Sequence, residues 1–154
     1  MGFETRLIGI LDVTSGARVV VTEPCNLYGC TLGDDVFVGP FVEIQKQVVI
    51  GARSRIQSHS FVCELVTIGE DCFIGHGVMF INDEFSNGGP ARGDKSLWRQ
   101  TSIGNNVSIG SNATILPVRI CDGAVIGAGA VVTRDITERG TYAGNPARKI
   151  RNIS

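Results

Sequence analysis

The residues best suited to chemistry in this chain fall into three groups. The first centres on Asn82 and Asp83, which open a polar stretch carrying Arg92 and the single tryptophan, Trp98. Glu64 precedes Asn82 by 18 residues, and Lys46 precedes Glu64 by the same interval. An amide, a carboxylate and an ammonium at one repeated spacing can hold a polar acceptor if the chain stacks with that period. Asn82 can accept a hydrogen bond from an amine but cannot act as a base, whereas Glu64 can accept or hold a proton. The second group is the pair of histidines, His59 and His76. Both suit corner positions or interface hydrogen bonds, and His76 is the alternative general base for a hydroxyl acceptor. The third lies near the end. Between Arg134 and Arg151 stand five basic residues (Arg134, Arg139, Arg148, Lys149, Arg151) against two acidic ones (Asp135, Glu138). That local excess suits phosphate groups. Just before it, Gly127-Ala128-Gly129-Ala130 leaves one edge with small side chains, where a long thin ligand can lie close to the backbone.

Such groups need a scaffold with an 18-residue period, and the sequence supplies one. Stepping by six from Leu32 meets Val38, Ile44, Ile50, Ile56, Val62, Ile68, Ile74 and Phe80, all large and apolar. The chance of that run from composition alone is of order 10⁻⁵ per frame. The step resumes at Ile103, Ile109 and Ile115, shortens once to five at Ile120, and continues through Ile126 and Val132. Two residues before each apolar position stands a small or β-branched residue, from Val36 and Val42 to Ala124 and Ala130, facing the same interior. Glycine often follows the apolar residue, as at Gly33, Gly51, Gly75 and Gly110, and is expected there for a tight bend. A short strand plus a corner, three times over, closes a coil of 18 residues, and stacked coils pair their strands in parallel about 4.8 Å apart.

The period breaks once. Phe80 and Ile103 are 23 residues apart where six were due, so about 17 residues, roughly Asp83 to Arg99, leave the coil. A long excursion from a rigid solenoid is expected to carry function or to clasp a neighbouring subunit. Residues 18 apart meet in adjacent coils, so Lys46, Glu64 and Asn82 form a polar stripe beside the root of this loop, with Arg134 further along the same face. The stripe also suits a solvated ladder of compatible polar residues.

Composition bounds the rest. Glycine contributes 20 of 154 residues and the hydrophobic fraction is 43%, which excludes disorder and fits a β-rich globular chain. A net charge of −1 gives no general attraction to nucleic acid or to an anionic membrane, and neither is expected as a partner. The run Leu7-Ile8-Gly9-Ile10-Leu11 is short for a signal-peptide core, and no apolar stretch approaches transmembrane length. The five cysteines (Cys25, Cys30, Cys63, Cys72, Cys121) show no zinc-ligand spacing. A cytoplasmic location with reduced thiols is the expectation.

The pattern L-G-x-x-V-x, I-G-x-x-x-x, I-G-x-x-A-x resembles that of the hexapeptide-repeat acyltransferases. This resemblance implies an all-β fold: a single-stranded left-handed parallel β-helix over roughly residues 15–133. The whole of 1–154 then forms one domain, with a loop excursion at about 83–100 and a short C-terminal tail at about 134–154. The hand comes from the resemblance alone, since crossover statistics favour the right. It also implies a homotrimer with sites between subunits and acetyl-CoA as cosubstrate. On the acetyl-CoA side the candidates are Gly110, Gly127, Ala128, Ala130, Arg134, Asn145, Pro146, Arg148 and Lys149. Within that set Gly144-Asn145-Pro146-Ala147-Arg148 matches the G-x-P-A-(R/K) close of acetyl-CoA-dependent members. The residues Val78-Met79-Phe80-Ile81-Asn82-Asp83 and Pro90-Ala91-Arg92 are similar to the M-F-T-N-D and Pro-Arg elements of one subgroup, with Ile81 in place of threonine. Those enzymes are N-acetyltransferases of nucleotide-linked 3-amino sugars. By that likeness Asn82 positions the sugar amine and Arg92 helps hold the sugar nucleotide. Asp83 and Trp98 join them as substrate-binding candidates, Trp98 either stacking on a base or anchoring the loop. The implied acceptor is a 3-amino-3,6-dideoxyhexose on dTDP, or a related UDP sugar, destined for a surface glycan such as lipopolysaccharide.

Chemistry separates the possible reactions. A hydroxyl is hard to deprotonate and needs a base, whereas a sugar amine is partly neutral near pH 7 and attacks a thioester without one. Asn82 in the matched position favours N-acylation, with Glu64 one coil away to take or hold the amine proton. A backbone N–H near the coil after the loop, at Gly110, is the expected oxyanion donor. The alternatives are O-acetylation with His76 as base, or a non-catalytic or zinc-binding β-helix similar to the γ-class carbonic anhydrases. That zinc family has a further histidine five residues after its G-H step, where this chain has Ile81, so no metal is expected.

Overall fold

The computed structural model describes residues 2–153 and realises the six-residue step as a parallel β-helix. Short strands, mostly of two residues, fall into three sheets that form the faces of a prism. The first face stacks Ile10–Leu11, Asn26–Tyr28, Glu43–Ile44, Phe61–Val62, Met79–Phe80, Thr114–Ile115 and Val131–Val132. The second runs from Thr14–Ser15 through Val66–Ile68 to Arg119–Ile120, and the third from Val20–Val21 through Phe73–Ile74 to Thr141–Ala143. Ile44 pairs with Val62, and Ile56 with both Val38 and Ile74, which is the 18-residue stacking. Phe80 pairs with Ile115, so the intervening excursion leaves the register intact. Among the described residues there is no α-helix, and no helix is long and apolar enough to cross a membrane.

Burial explains why this period specifies the fold. Every apolar residue of the six-step series ends a strand and is at most 2% exposed. Each such side chain stabilises the coil by about 1.5–3 kcal/mol. The column two places earlier is buried with it, from Val36 to Ala130. Its two serines are satisfied in the core: Ser54 Oγ donates to the Gly69 carbonyl and Ser60 Oγ to the Gly75 carbonyl, each at 2.8 Å.

The glycines following the apolar residues have a different cause from the expected bend. Left-handed φ falls two places later, at Asp35, Phe41, Gln47, Arg53, His59, Leu65 and Asp71, which are not glycine. Each non-glycine residue there costs about 1–2 kcal/mol, offset by the inter-coil ladder. The first corner glycine answers instead to stacking. A Cβ on Gly51 would come within 2.5 Å of the Gly69 carbonyl oxygen, and one on Gly75 within 2.7 Å of the Ile109 oxygen. Glycine is required because the next coil's backbone lies directly against it.

The segment after Val132 is folded and closes the end of the coil. Ile136 bridges to Ile120, Thr141–Ala143 adds a rung to the third face, and Arg148–Arg151 turns back antiparallel upon it. At the other end the coil begins earlier than the sequence pattern suggested, with Ile10–Leu11 paired to Leu27–Tyr28.

Candidate functional site

The corner between the first and second faces carries Lys46, Glu64 and Asn82 in successive coils. Asn82 Nδ2 donates to the Glu64 carbonyl at 3.2 Å, and Lys46 Nζ stands 3.8 Å from Glu64 Oε1. The hydrogen bond from Nδ2 leaves Oδ1 of Asn82 as a free acceptor. Pro117 and then Arg134 follow in the same column. Glu64 is the buried member, its side chain 8% exposed. Its amide accepts no solvent role either, since it donates to Gln45 Oε1 at 3.2 Å. Tyr28 and Glu43 lie on the face beside it. Burial, with the charges of Glu43 and Glu64, pushes the Tyr28 hydroxyl up.

The excursion begins here. Its base is closed by the Arg99 amide donating to the Asn82 carbonyl at 2.9 Å. Asp83 organises its first half, one carboxylate oxygen accepting from the Phe85 amide at 3.0 Å and the other from the Ala91 amide at 2.7 Å. Asp94 accepts from the Ser96 amide and so caps the 3₁₀ turn Lys95–Leu97. That turn delivers Lys95 Nζ to Glu64 Oε2 at 2.7 Å and to 5.1 Å from the Trp98 ring centre. The hydrogen bond to Glu64 raises the Lys95 ammonium above the ordinary lysine range. Arg92 is exposed, at a left-handed φ of 51°.

Sequence reasoning missed Lys95, because residues off the coil have no register to place them. It also missed Arg99 and Arg119, which line a cavity of about 350 Å³ with Gln100, Ser102, Pro117 and Asp135. Pro117 occupies the Asn82 column one coil on, so this cavity adjoins the stripe.

The corner between the third and first faces is of another kind. His76 is exposed, and in its column stand Ser58, Ser111 and Ala128. His59 lies at the same corner and stacks on Phe41 with ring centres 4.9 Å apart. Gly127, Ala128 and Gly129 leave the late part of this edge without bulk, and nothing lies within 4 Å of where a Gly129 Cβ would stand. Asn145 and Pro146 follow Ala143 one coil on. Two expectations are corrected here. Ala130 is fully buried in the core column and cannot line a surface groove. The Gly110 amide donates to the Ile126 carbonyl at 2.8 Å, so it is spent in the ladder and unavailable to an oxyanion.

Arg134, Arg148 and Lys149 come together at the end of the coil, around a cavity of about 210 Å³ with Thr133, Tyr142 and Ala147. Lys149 pairs with Glu138 at 3.0 Å, whereas among the described residues Arg134 and Arg148 form no ion pair. No group of three or more His, Cys, Asp or Glu among the described residues is arranged to hold a metal ion. Burial pushes the Cys63 thiol up to about 12.

The two histidines and the Glu64–Asn82 pair therefore lie on different edges. Asn82 lies six positions after His76, at most roughly 20 Å of chain across the first face.

Comparison with known proteins fits this architecture. The model described as a hexapeptide repeat of succinyl-transferase matches residues 65–79 and 100–134, stopping and resuming around the excursion. The one described as bacterial transferase hexapeptide (six repeats) matches residues 29–64. A bifunctional protein GlmU of Baumannia cicadellinicola subsp. Homalodisca coagulata is 36% identical over 110 residues, which are 71% of this chain and 21% of that protein. The chain spans about a fifth of the length of the curated relatives it matches. Among solved structures, a hexapeptide-repeat acetyltransferase of Vibrio cholerae O1 biovar eltor, complexed with acetyl-coenzyme A, superposes with a TM-score of 0.69. It is 25% identical, with 82% of this chain and 72% of that one covered. A variant of AntD, an N-acyltransferase from Bacillus cereus in complex with dTDP-4-amino-4,6-dideoxyglucose and coenzyme A, gives a TM-score of 0.81 at 23% identity. That match covers 92% of this chain and 83% of the other. Since the two repeat models together match more than half of the residues, over the segments that the buried columns span, the chain belongs to the hexapeptide-repeat family.

Proposed function

We propose that the protein is an acetyl-CoA-dependent N-acetyltransferase acting on the amine of a nucleotide-linked amino sugar, dTDP- or UDP-linked, in the cytoplasm and on the way to a surface glycan. The observation that carries this reading is the pairing of Asn82 with the buried Glu64 at the root of the excursion. Asn82 Oδ1 accepts a hydrogen bond from the amine and orients its lone pair; Glu64 holds the arriving ammonium, takes the proton it sheds on becoming neutral, and returns that proton to solvent after turnover. The neutral nitrogen attacks the thioester carbonyl, a C–N bond forms, the C–S bond breaks, and the proton shed by nitrogen goes to the departing thiolate. The cavity with Arg99 and Arg119 suits the nucleotide's diphosphate.

The donor belongs on the other edge. Gly127, Ala128 and Gly129 leave room for the pantetheine arm beside Asn145 and Pro146, and Arg134, Arg148 and Lys149 suit its phosphates. The Ser111 amide, which has no partner within the described residues, takes the oxyanion role first given to Gly110. Because the acceptor and donor edges are separated by a whole face, one site needs the acceptor edge of one copy and the donor edge of the next. A homotrimer supplies that arrangement three times. The bound ligands of AntD and of the Vibrio cholerae protein support acetyl-CoA and a nucleotide amino sugar as the substrates to try first.

One observation favours a second reading. His76 shares its column with Ala128, so an imidazole lies on the donor edge, where it could serve O-acetylation of a sugar hydroxyl. Release of free thiol from acetyl-CoA separates the two. The proposal predicts release with a dTDP- or UDP-linked amino sugar and none with the matching hydroxyl sugar; the reverse supports O-acetylation.

A further inference from the structure

The excursion places an ammonium on the one carboxylate that the acceptor chemistry uses. Lys95 Nζ is 2.7 Å from Glu64 Oε2 and 5.1 Å from the centre of the Trp98 ring. A buried carboxylate facing an aromatic ring is a site for an ammonium group, recognised by charge-assisted hydrogen bonding on one side and the ring quadrupole on the other. Here the chain fills that site itself. The two partners are held very differently, since the Glu64 side chain is 8% exposed and that of Lys95 is 50%. Glu64 is fixed by the coil, with Lys46 on its other oxygen. Lys95 hangs on a three-residue turn with no buried residue, at the end of a flexible four-carbon stem, and can swing into solvent without disturbing the core.

We propose that Lys95 is an internal stand-in for the acceptor's ammonium, occupying the Glu64–Trp98 site until the primary amine of an amino sugar displaces it. The inference rests on the reading of Glu64 as the amine-holding residue. It also gives the excursion a role in specificity: an acceptor must bring a cation to compete with the resident one, and a neutral hydroxyl does not.

Trp98 is the only tryptophan, so its fluorescence reports on this site without any turnover. The full chain, and Lys95→Met, which keeps an apolar stem over the ring, are titrated with dTDP- and UDP-linked amino sugars in the absence of acetyl-CoA. If Lys95 occupies the site nine-tenths of the time, removing its charge tightens amino-sugar binding about tenfold, and Lys95→Arg restores the original value. Weaker binding in Lys95→Met makes Lys95 a substrate contact and overturns the proposal, as does unchanged binding or the absence of any response in both proteins. A tenfold gain without thiol release from acetyl-CoA would refute the catalytic reading alone. Thiol release with unchanged binding would refute the stand-in alone.

Discussion

The edge proposed for the acceptor and the edge proposed for the donor are made by the same backbone step, yet one is crowded with charge and the other nearly bare. On the acceptor edge the stacked positions are Lys46, Glu64 and Asn82, and the excursion adds Lys95 as a second cation on Glu64. On the other edge they are Ser58, His76, Ser111 and Ala128, the last three with glycine beside them. The hexapeptide step fixes where these side chains stand but not what they are, because only the inward columns are needed for the core. The remaining corner shows the step used for structure alone: Arg53 pairs with Glu70 and with Asp71, and Asn105 and Asp122 accept amides from neighbouring coils. The proposed chemistry thus falls where the corner residues depart from a self-satisfying ladder.

The sharpest way to break the donor edge is to fill its backbone contact. A Cβ on Gly110 collides with the Ala128 backbone, so Gly110→Val is expected to lower stability by about 3 kcal/mol or more, read by thermal melting. Gln47→Gly, at a left-handed corner position on the acceptor edge, should change stability by less than about 1 kcal/mol. Equal effects would mean that stacking is not what selects the glycines.

Next in size is catalysis. Asn82→Ala is expected to lower kcat/KM for an amino sugar about a hundredfold with coenzyme A binding retained, whereas His76→Asn should cost only a few-fold. A loss of about a hundredfold or more in His76→Asn, with Asn82→Ala near wild type, would reverse the roles of the two edges.

The smallest effect concerns pH. Lys95 is raised by its hydrogen bond to Glu64, and the charged groups around it are Glu64, Lys46 and the Tyr28 hydroxyl. A raised lysine contributes its stabilisation fully below its unfolded value and loses it as pH rises through the folded one. Protection of the excursion from limited proteolysis should therefore persist through neutral pH and fall only above the ordinary lysine range. A loss of protection between about pH 6 and 8, the ordinary histidine range, would show that the Lys95–Glu64 pair does not hold the excursion in place.

Much of this was legible in the sequence for a physical reason. The columns at Ile56 and Ser54, and at Ile74 and Cys72, repeat because each coil buries the same two positions, so the pairing of Lys46, Glu64 and Asn82 followed from counting. Part of what stayed hidden lay outside that repetition. Lys95 reaches Glu64 through a loop shaped by Asp83 and Asp94, and no period places it. Gly51 looked like a bend because sequence shows a residue's own freedom and not the backbone stacked against it. Ala130 satisfied both the inward column and, for its size, the groove edge, and burial decides for the column. The closing strand Arg148–Arg151 carries no six-residue step because it pairs antiparallel.

The central claim is that a working site joins the acceptor edge of one copy to the donor edge of another. It is tested by mixing two inactive chains, Asn82→Ala and a donor-edge block such as Ala128→Arg, by co-expression and assaying thiol release from acetyl-CoA with an amino sugar. Shared sites predict recovery of about a quarter of the wild-type activity, since random assembly unites an intact acceptor edge with an intact donor edge in that fraction of interfaces. If the mixture stays as inactive as its components while each variant still assembles, the site lies within one chain and the account is wrong.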